Sequence, residues 1–264
     1  MKIDLTGKRA LVTGSTAGIG RAIARGLAAA GADVVVNGRS EAGVAAALQA
    51  LRRELPGAGL QGVAADLSGA SGCEALLRGC GPIDILVNNA GIFEPKEFAR
   101  ITDQDWMRFF ETNVMSGVRL SRALLAPMIE RDWGRIVFIS SESALHIPKE
   151  MIHYGTTKTA QLAVSRGLAE LTAGTGVTVN SVLPGPTRSD GVEQFLQAMA
   201  RETGTSADTI ASSFVRDHRS TSLLQRFATV EEVANMVVYT CSPQASATNG
   251  AALRVEGGVV RTIA

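Results

Sequence analysis

A tyrosine and a lysine stand four residues apart in the second half of the chain, at Tyr154 and Lys158. On a helix this spacing places both side chains on the same face, where they can act on one ligand. A phenol with a pKa of about 10 is a poor acid–base catalyst at neutral pH, and a nearby ammonium favours the phenolate and lowers that pKa. The pair therefore predicts a proton-transfer site, with an ordinary amphipathic helix surface as the alternative.

A glycine-rich turn near the N-terminus points to a nucleotide. It lies between an apolar run and a helix-like segment, and it reads Thr-Gly-Ser-Thr-Ala-Gly-Ile-Gly over residues 13–20. Glycine permits a tight turn, and the missing side chains let a pyrophosphate approach backbone N–H groups at the start of the helix. We therefore expect a dinucleotide here, a plain strand-to-helix turn being the alternative. The expected contacts are Gly14, Ser15, Thr16, Gly18, Ile19 and Gly20.

The end of the next apolar run bears on which dinucleotide binds. An acidic residue about 20 positions beyond the glycines would hydrogen-bond the ribose 2′-hydroxyl of NAD. This chain has Asn-Gly-Arg-Ser there instead, over residues 37–40. The forked guanidinium of Arg39 could hold a 2′-phosphate, so the sequence favours NADP(H) over NAD(H), with Arg39 and Ser40 as contacts. A solvated loop arginine is the alternative.

Apolar runs and helix-like segments alternate around these residues. Strands are expected at residues 9–13, 34–36, 61–64, 83–88, 135–140, 177–183 and 251–255, and helices at 19–30, 48–55, 73–80, 103–130, 152–173 and 230–240. This order predicts an α/β fold, a Rossmann-like, doubly wound, mainly seven-stranded parallel sheet with helices on both faces. Residues 1–264 form a single domain, in which amphipathic helices at about 186–227 act as a lid over the substrate pocket.

Composition excludes several other classes of protein. The 264 residues carry 26 Lys+Arg against 25 Asp+Glu, so no strong positive field exists to bind duplex nucleic acid. Three widely spaced cysteines suit the reduced thiols of a cytoplasmic protein better than a disulfide framework, and no metal site is expected. The longest uncharged stretch, residues 233–253, contains a proline and a polar half, so no membrane helix is expected.

Taken in order, the motifs resemble those of the short-chain dehydrogenase/reductase family, especially its 3-oxoacyl-(acyl-carrier-protein) reductase-like members. The wide glycine spacing, the Asn-Asn-Ala-Gly run at residues 88–91 and the Tyr-x-x-x-Lys pair behind a strand ending in serine carry this resemblance. It implies an oxidoreductase that transfers a hydride between NADP(H) and a carbonyl or secondary alcohol, assembled as a homotetramer or homodimer through its two long central helices. Thr157 and Glu256 depart from the residues usual in the family, without removing a reacting group.

The same resemblance implies roles for individual residues. Tyr154 is the general acid/base, Lys158 also holds the nicotinamide ribose, and Asn113 anchors a water relay to that lysine. Ser141 hydrogen-bonds the substrate oxygen, with Ser140 and Ser143 as alternatives. Further cofactor contacts are implied at Asp66, Leu67, Asn89, Ala90, Gly91, Pro184, Gly185 and Thr187.

The substrate is poorly specified by the sequence. It is expected to be a small ketone or alcohol, with an acyl thioester among the candidates, and the expected contacts are Ser141, Glu142, His146, His153 and Phe195. The basic cluster at residues 216–219 is expected to be solvated, with an acidic ligand or carrier protein as the alternative. Two other functions stay open: a nucleotide-binding sensor without turnover, and a non-redox enzyme such as a dehydratase or epimerase.

Overall fold

Seven parallel strands form one sheet in the computed structural model, which describes residues 2–263 apart from the side chain of Phe195. The strand order is β3-β2-β1-β4-β5-β6-β7. The strands are β1 Arg9–Val12, β2 Asp33–Gly38, β3 Leu60–Ala64, β4 Ile85–Asn88, β5 Gly134–Ile139, β6 Val177–Pro184 and β7 Ala252–Val255. The predicted doubly wound α/β fold is confirmed.

Helices cover both faces of this sheet. They are α1 Gly18–Ala29, α2 Glu41–Glu54, α3 Ala70–Cys80, α4 Asp103–Phe110, α5 Ser116–Glu130, α6 Ile152–Glu170, α7 Asp190–Thr203, α8 Ala207–His218 and α9 Val230–Thr240. Side chains of the central strands alternate between two cores: Ala10 and Val12 pack with α1 and α9, whereas Leu11 packs with α3 and α5. Burial on both faces explains why the strands are nearly continuous apolar runs.

Helix boundaries differ from the prediction in two informative places. Helix α2 begins seven residues before the predicted residue 48, because the hydroxyl of Ser40 accepts a hydrogen bond from the amide of Gly43 and caps the helix. The predicted single helix at 103–130 consists of α4 and α5, joined by a π-helical turn at Glu111–Met115. Such turns often mark functional positions, and this one contains Asn113.

The order of strands in the sheet reverses between β1 and β4, which lie side by side: β2 and β3 extend the sheet on one side, and β5, β6 and β7 extend it on the other. In a doubly wound sheet, a crevice opens at the carboxyl ends of the strands at this point, and ligands bind there. The glycine turn follows β1, residues 89–91 follow β4, Ser141 comes soon after β5, and a turn formed by Pro184 and Gly185 ends β6. The fold therefore brings the predicted site segments to one edge of the sheet.

Two helices, α7 and α8, occupy the segment predicted to be a lid. Leu196 is fully buried against Ile210 and Ala211, and Val192 and Met199 pack around the same small core. The apolar face of α7 thus packs against α8 and is not free to line a pocket, while the lid role itself stays a prediction. Within residues 2–263, every helix is too short or too polar to cross a membrane.

Candidate active site

The glycine turn after β1 is shaped by close backbone approach. Gly14 and Gly18 have positive φ angles of 59° and 54°, which favour glycine. A Cβ atom on Gly20 would lie 2.4 Å from the carbonyl oxygen of Gly14 and 2.4 Å from Nδ2 of Asn89. That amide nitrogen donates to the carbonyl oxygens of Thr13 (2.8 Å) and Gly14 (3.0 Å). The side chain of Asn89 therefore holds the turn in shape.

A chain of contacts connects this turn to the predicted lysine. The hydroxyl oxygen of Thr13 accepts hydrogen bonds from the amides of Asn89 and Ala90, both at 2.9 Å. A Cβ atom on the next residue, Gly91, would lie 3.7 Å from Nζ of Lys158. The glycine turn and Lys158 thus lie on two sides of residues 89–91.

The start of α1 fits an anionic group. The helix begins after Ala17 without a side-chain cap, and its first turn contains no acidic residue. Backbone N–H groups at such a terminus attract anions such as a pyrophosphate. The Gly18 amide donates to the carboxylate of Asp190, at the start of α7, over 2.7 Å. No local sequence pattern points to Asp190, because it lies 172 positions from Gly18 in the chain.

Ser15 serves the architecture of the turn. It is fully buried, its hydroxyl donates to the Val12 carbonyl (2.6 Å), and it accepts from the amide of Asn37 (3.0 Å). The buried Asn37 side chain in turn accepts from the Gly14 amide over 3.2 Å. Both side chains thus hold the turn in shape, and no sequence pattern had pointed to Asn37 for this role. Thr16 lies beside Gly38, where a Cβ atom would approach its methyl carbon to 2.4 Å.

Arg39 is exposed just beyond β2, next to the capping residue Ser40. Over the described range, no carboxylate forms a salt bridge with it, so its charge is available to a ligand. Asp66, after β3, accepts a hydrogen bond from the Ser68 amide over 3.0 Å. That residue's amide and hydroxyl hold the pKa of Asp66 below its usual value, and the positive charge of Arg39 adds to the effect. Leu67 beside it is buried.

The Pro-Gly turn at the end of β6 packs against the segment after β7. A Cβ atom on Gly185 would lie 2.6 Å from the carbonyl oxygen of Glu256, so only glycine fits. The Thr187 hydroxyl donates to the Gly185 carbonyl over 2.9 Å. Pro184 is the last residue of the strand, which places all three predicted contacts at its carboxyl end.

Lys158 is buried in the floor of the site. Its ammonium lies 5.6 Å from the centre of the Tyr154 ring. It donates to the carbonyl oxygen of Ile139 (2.9 Å) and to the side-chain oxygen of Gln161 (3.2 Å). Burial lowers the pKa of Lys158 to about 7.

Burial acts on the phenol of Tyr154 in the direction opposite to the predicted shift. Burial raises its pKa to about 12, the Ser141 hydroxyl opposes the rise, and the negative charge of Glu142 adds to it while the positive charge of Arg219 opposes it. Burial of the phenol thus works against the predicted shift, and the acidity of Tyr154 beside Lys158 stays a prediction.

Asn113 reaches Lys158 through another side chain. The side-chain amide of Asn113 bonds the backbone of Ile92 and the hydroxyl of Thr157. The backbone carbonyl oxygen of Asn113 accepts from the side-chain amide of Gln161 over 2.6 Å. Gln161 thus bridges the lysine and the asparagine, while the water relay stays a prediction. Gln161 lies three residues after Lys158 on the same helix face, and this spacing was the sequence signal that could have predicted its role.

The structure separates the three candidate serines. The Ser140 hydroxyl donates to the carbonyl of Lys158 over 2.9 Å and ties β5 to α6. The Ser143 hydroxyl donates to the carboxylate of Glu142. Ser141 also donates to that carboxylate, over 3.1 Å, and its hydroxyl acts to lower the pKa of Tyr154. Ser141 is therefore the serine best placed to act with Tyr154.

The predicted substrate contacts are only partly brought together. Glu142 is buried in an ion pair with Arg219 at 2.7 Å, so Arg219 is not part of a solvated cluster as expected. His153 is fully buried against Phe109, with ring centres 4.1 Å apart, which leaves it no surface for a substrate. His146 is exposed on the turn after Glu142. The predicted contact of the Phe195 side chain lies outside the described residues.

Comparison with known proteins agrees with this geometry. A family model for short chain dehydrogenases matches residues 8–200. The chain is 49% identical to the uncharacterised oxidoreductase YvaG of Bacillus subtilis (strain 168), with 100% of both chains covered. It is 35% identical to the 3-oxoacyl-(acyl-carrier-protein) reductase FabG of Aquifex aeolicus (strain VF5), over 98% of this chain and 100% of that one.

A solved structure supports the same conclusion. The crystal structure of L-sorbose reductase from Gluconobacter frateurii, complexed with NADPH and L-sorbose, matches with a TM-score of 0.93 and 31% identity, covering 100% of each chain. The resemblance predicted from the motifs is thus confirmed across the fold. The chain is an oxidoreductase of the short-chain dehydrogenase/reductase family, similar to its 3-oxoacyl-(acyl-carrier-protein) reductases.

Proposed function

We propose that the protein is an NADP(H)-dependent carbonyl reductase that also runs as a secondary-alcohol dehydrogenase, with Tyr154 as its general acid/base. The observation that carries this proposal is the convergence of Ser141, Tyr154 and Lys158 beside the glycine turn. Membership of the family does not by itself establish an activity. This group of side chains supports one, because it suits proton transfer to and from a substrate oxygen.

A dinucleotide bound in the crevice would supply the hydride, and the protein has to hold its partner carbonyl and manage one proton. The uncapped start of α1 and the glycine turn would hold the pyrophosphate, and Arg39 would pair with a 2′-phosphate. The related L-sorbose reductase was solved with NADPH, which supports the same preference here. Lys158 would hold the nicotinamide ribose.

In the direction of reduction, Ser141 and Tyr154 orient and polarise the ketone oxygen. Tyr154 then gives its proton to the forming alkoxide, and Lys158 stabilises the resulting phenolate. A pKa of about 12 keeps Tyr154 protonated at neutral pH, which is the form this step requires. Gln161, which also bonds the backbone of Asn113, holds Lys158 in place, and Asn113 with water would return the proton.

The substrate in this proposal is a small ketone or the matching alcohol, acyl thioesters included. The related L-sorbose reductase and the related 3-oxoacyl-(acyl-carrier-protein) reductase are both named for ketone substrates of this kind. The three cysteines are free and buried, as suits a cytoplasmic protein. A homotetramer or homodimer formed through α5 and α6 completes the proposal, and a sizing measurement that returns a monomer would remove that part.

The test of the proposed function compares NADPH and NADH oxidation across β-keto esters, sugars, steroids and quinones. We expect oxidation with at least one ketone, faster with NADPH. Tight cofactor binding without oxidation of any ketone would instead indicate a sensor. Conversion of a substrate with no net change in NADPH would indicate a dehydratase or epimerase.

The preference for NADP(H) gives a prediction at Arg39. Arg39→Ala should lower kcat/KM for NADPH by about tenfold or more, since a hydrogen bond to a charged group contributes about 1.5–3 kcal/mol. The value for NADH should change little, because NADH has no 2′-phosphate. Steady-state kinetics with both cofactors measure this, with Arg53→Ala, an exposed residue of α2, as the control. Equal losses with both cofactors would contradict the assignment.

Asp190 gives a prediction of opposite sign. Its carboxylate bonds the Gly18 amide at the point where phosphate oxygens would bind, so it opposes the cofactor by its charge. Asp190→Asn should therefore strengthen NADPH binding by about threefold, a typical effect for one charge at a helix start. Fluorescence titration measures the Kd, with Glu202→Gln on the same helix as the control. Weaker binding would mean that Asp190 supports the turn instead.

A further inference from the structure

A buried ion pair joins α8 to the turn that carries Ser141. Glu142 Oε1 accepts from Nε of Arg219, the residue after α8, over 2.7 Å. The two side chains are 4% and 5% exposed. Burying two charges is costly, and a well-packed apolar pair would hold the two segments together at least as well. A charged pair at this point therefore calls for a role beyond packing.

Glu142 controls the hydroxyl of Ser141. The second carboxylate oxygen, Oε2, accepts from the Ser141 hydroxyl over 3.1 Å and from the Ser143 hydroxyl. Because a serine hydroxyl has one proton, Ser141 can donate it either to Glu142 or to a substrate oxygen. The amide of Ser143 donates to the same Ser141 oxygen over 3.1 Å and fixes its position. The strength of the carboxylate as an acceptor thus decides how readily Ser141 turns to a substrate.

Arg219 weakens that acceptor by sharing its charge. Its guanidinium faces two carboxylates, Glu142 and, at 3.7 Å, the half-buried Glu150, and it also donates to the His218 carbonyl. The charges of Glu142 and Arg219 act on the Tyr154 phenol in opposite directions. Without Arg219, an uncompensated carboxylate would lie beside the oxygen on which negative charge develops in the reaction.

We propose that Arg219 and Glu142 are positioning residues: Arg219 docks the α7–α8 segment onto the serine turn, and Glu142, neutralised by it, holds Ser141 ready to bind the substrate oxygen. This inference rests on the function proposed above. The site is then complete only while α8 is docked, so one ion pair couples the position of that helix to the rate of proton transfer.

The test is a double-mutant cycle with Arg219→Gln, Glu142→Gln and the double variant, using the ketone that the wild type reduces fastest. Arg219→Gln should lower kcat by about tenfold or more, since single charges in a dry site contribute on that order. Its KM for NADPH should stay near the wild-type value. The double variant should recover to near the rate of Glu142→Gln alone, because the unpaired carboxylate is gone.

Two further variants complete the design. Arg216→Gln, on the exposed face of α8, is the matched control and should leave kcat unchanged. Arg219→Lys keeps the charge without the guanidinium fork, and its kcat should fall between those of the wild type and Arg219→Gln. If Arg219→Gln does not fold, Arg219→Lys provides the test in its place.

Hydrogen exchange of residues 207–218, measured without substrate, gives a second readout. Arg219→Gln should speed exchange there relative to Arg216→Gln. Unchanged kcat and unchanged exchange would overturn the proposal. It would also be overturned if the fold-loss of kcat in the double variant equalled the product of the fold-losses in the two single variants. If the wild type reduces no ketone, the proposed function fails, while the exchange rates still decide whether Arg219 docks the segment.

Discussion

Tyr154→Phe should lower kcat by on the order of 10²-fold or more, because proton donation by a positioned acid typically contributes that much. Phenylalanine keeps the ring and its edge contact with Phe93, whose centre lies 6.5 Å away, and loses only the hydroxyl. Cofactor affinity should therefore stay within about twofold, as expected when only a transition-state interaction is removed. Stopped-flow or steady-state oxidation of NADPH with a ketone measures the rate, and fluorescence titration measures the affinity.

The chain contains its own matched control, since its only other tyrosine is Tyr239, in α9. Tyr239→Phe makes the same chemical change away from the crevice and should leave both constants unchanged. A Tyr154→Phe enzyme that keeps more than about a tenth of the wild-type rate would contradict the role of Tyr154, since general acid catalysis is worth more than this. A loss shared by both variants would point to folding instead of chemistry.

The spacing of Tyr154 and Lys158 predicts where the two side chains lie but not how their pKa values shift. Four residues on a helix were enough to predict two side chains at one site. The sign of the pKa shift could not be predicted, because it depends on how deeply both groups are buried, and burial disfavours the phenolate and the ammonium alike. The proposed mechanism keeps both residues, with a protonated Tyr154 as the acid for reduction.

The fold was accessible from the sequence because its signals are local. Parallel strands buried on both faces read as short apolar runs, and the strand-turn-helix at residues 9–30 contains its own glycine punctuation. The start of α2 was missed because its apolar pattern is weak before residue 48, and the Ser40 cap determines where the helix begins. The division of residues 103–130 was missed because a π-helical turn barely changes the helical period.

Within the site, the residues that were missed are those whose partners lie far away in the chain. Arg219 reaches Glu142 across 77 positions and Asp190 reaches Gly18 across 172, so no window of sequence contains either pair. His153 was misplaced for the opposite reason: its neighbour Tyr154 suggested the crevice, yet adjacent positions on a helix face different directions. Motifs predicted the candidate reacting groups, and only the tertiary structure could reveal which residues support them.

Because the shape of the glycine turn depends on close contacts with distant residues, adding one methyl group there should have a large effect. Gly20→Ala should weaken NADPH binding by about 10²-fold, because overpacking costs up to about 3 kcal/mol and the new Cβ atom would meet backbone. It would lie 2.4 Å from the Gly14 carbonyl oxygen, which cannot rotate away as a side chain can. The same atom would displace the Asn89 amide that holds the turn. Fluorescence titration measures the affinity, and thermal unfolding measures stability.

Gly167→Ala is the matched control, a second helical glycine, in α6, where an added Cβ atom meets nothing within 4 Å. It should leave NADPH binding unchanged and stabilise the fold by up to about 1 kcal/mol, since alanine favours helix. If Gly20→Ala bound NADPH as tightly as Gly167→Ala, the close approach of Gly14, Gly20 and Asn89 would not be what shapes the cofactor site. The proposed role of the turn would then have to move to its exposed N–H groups alone.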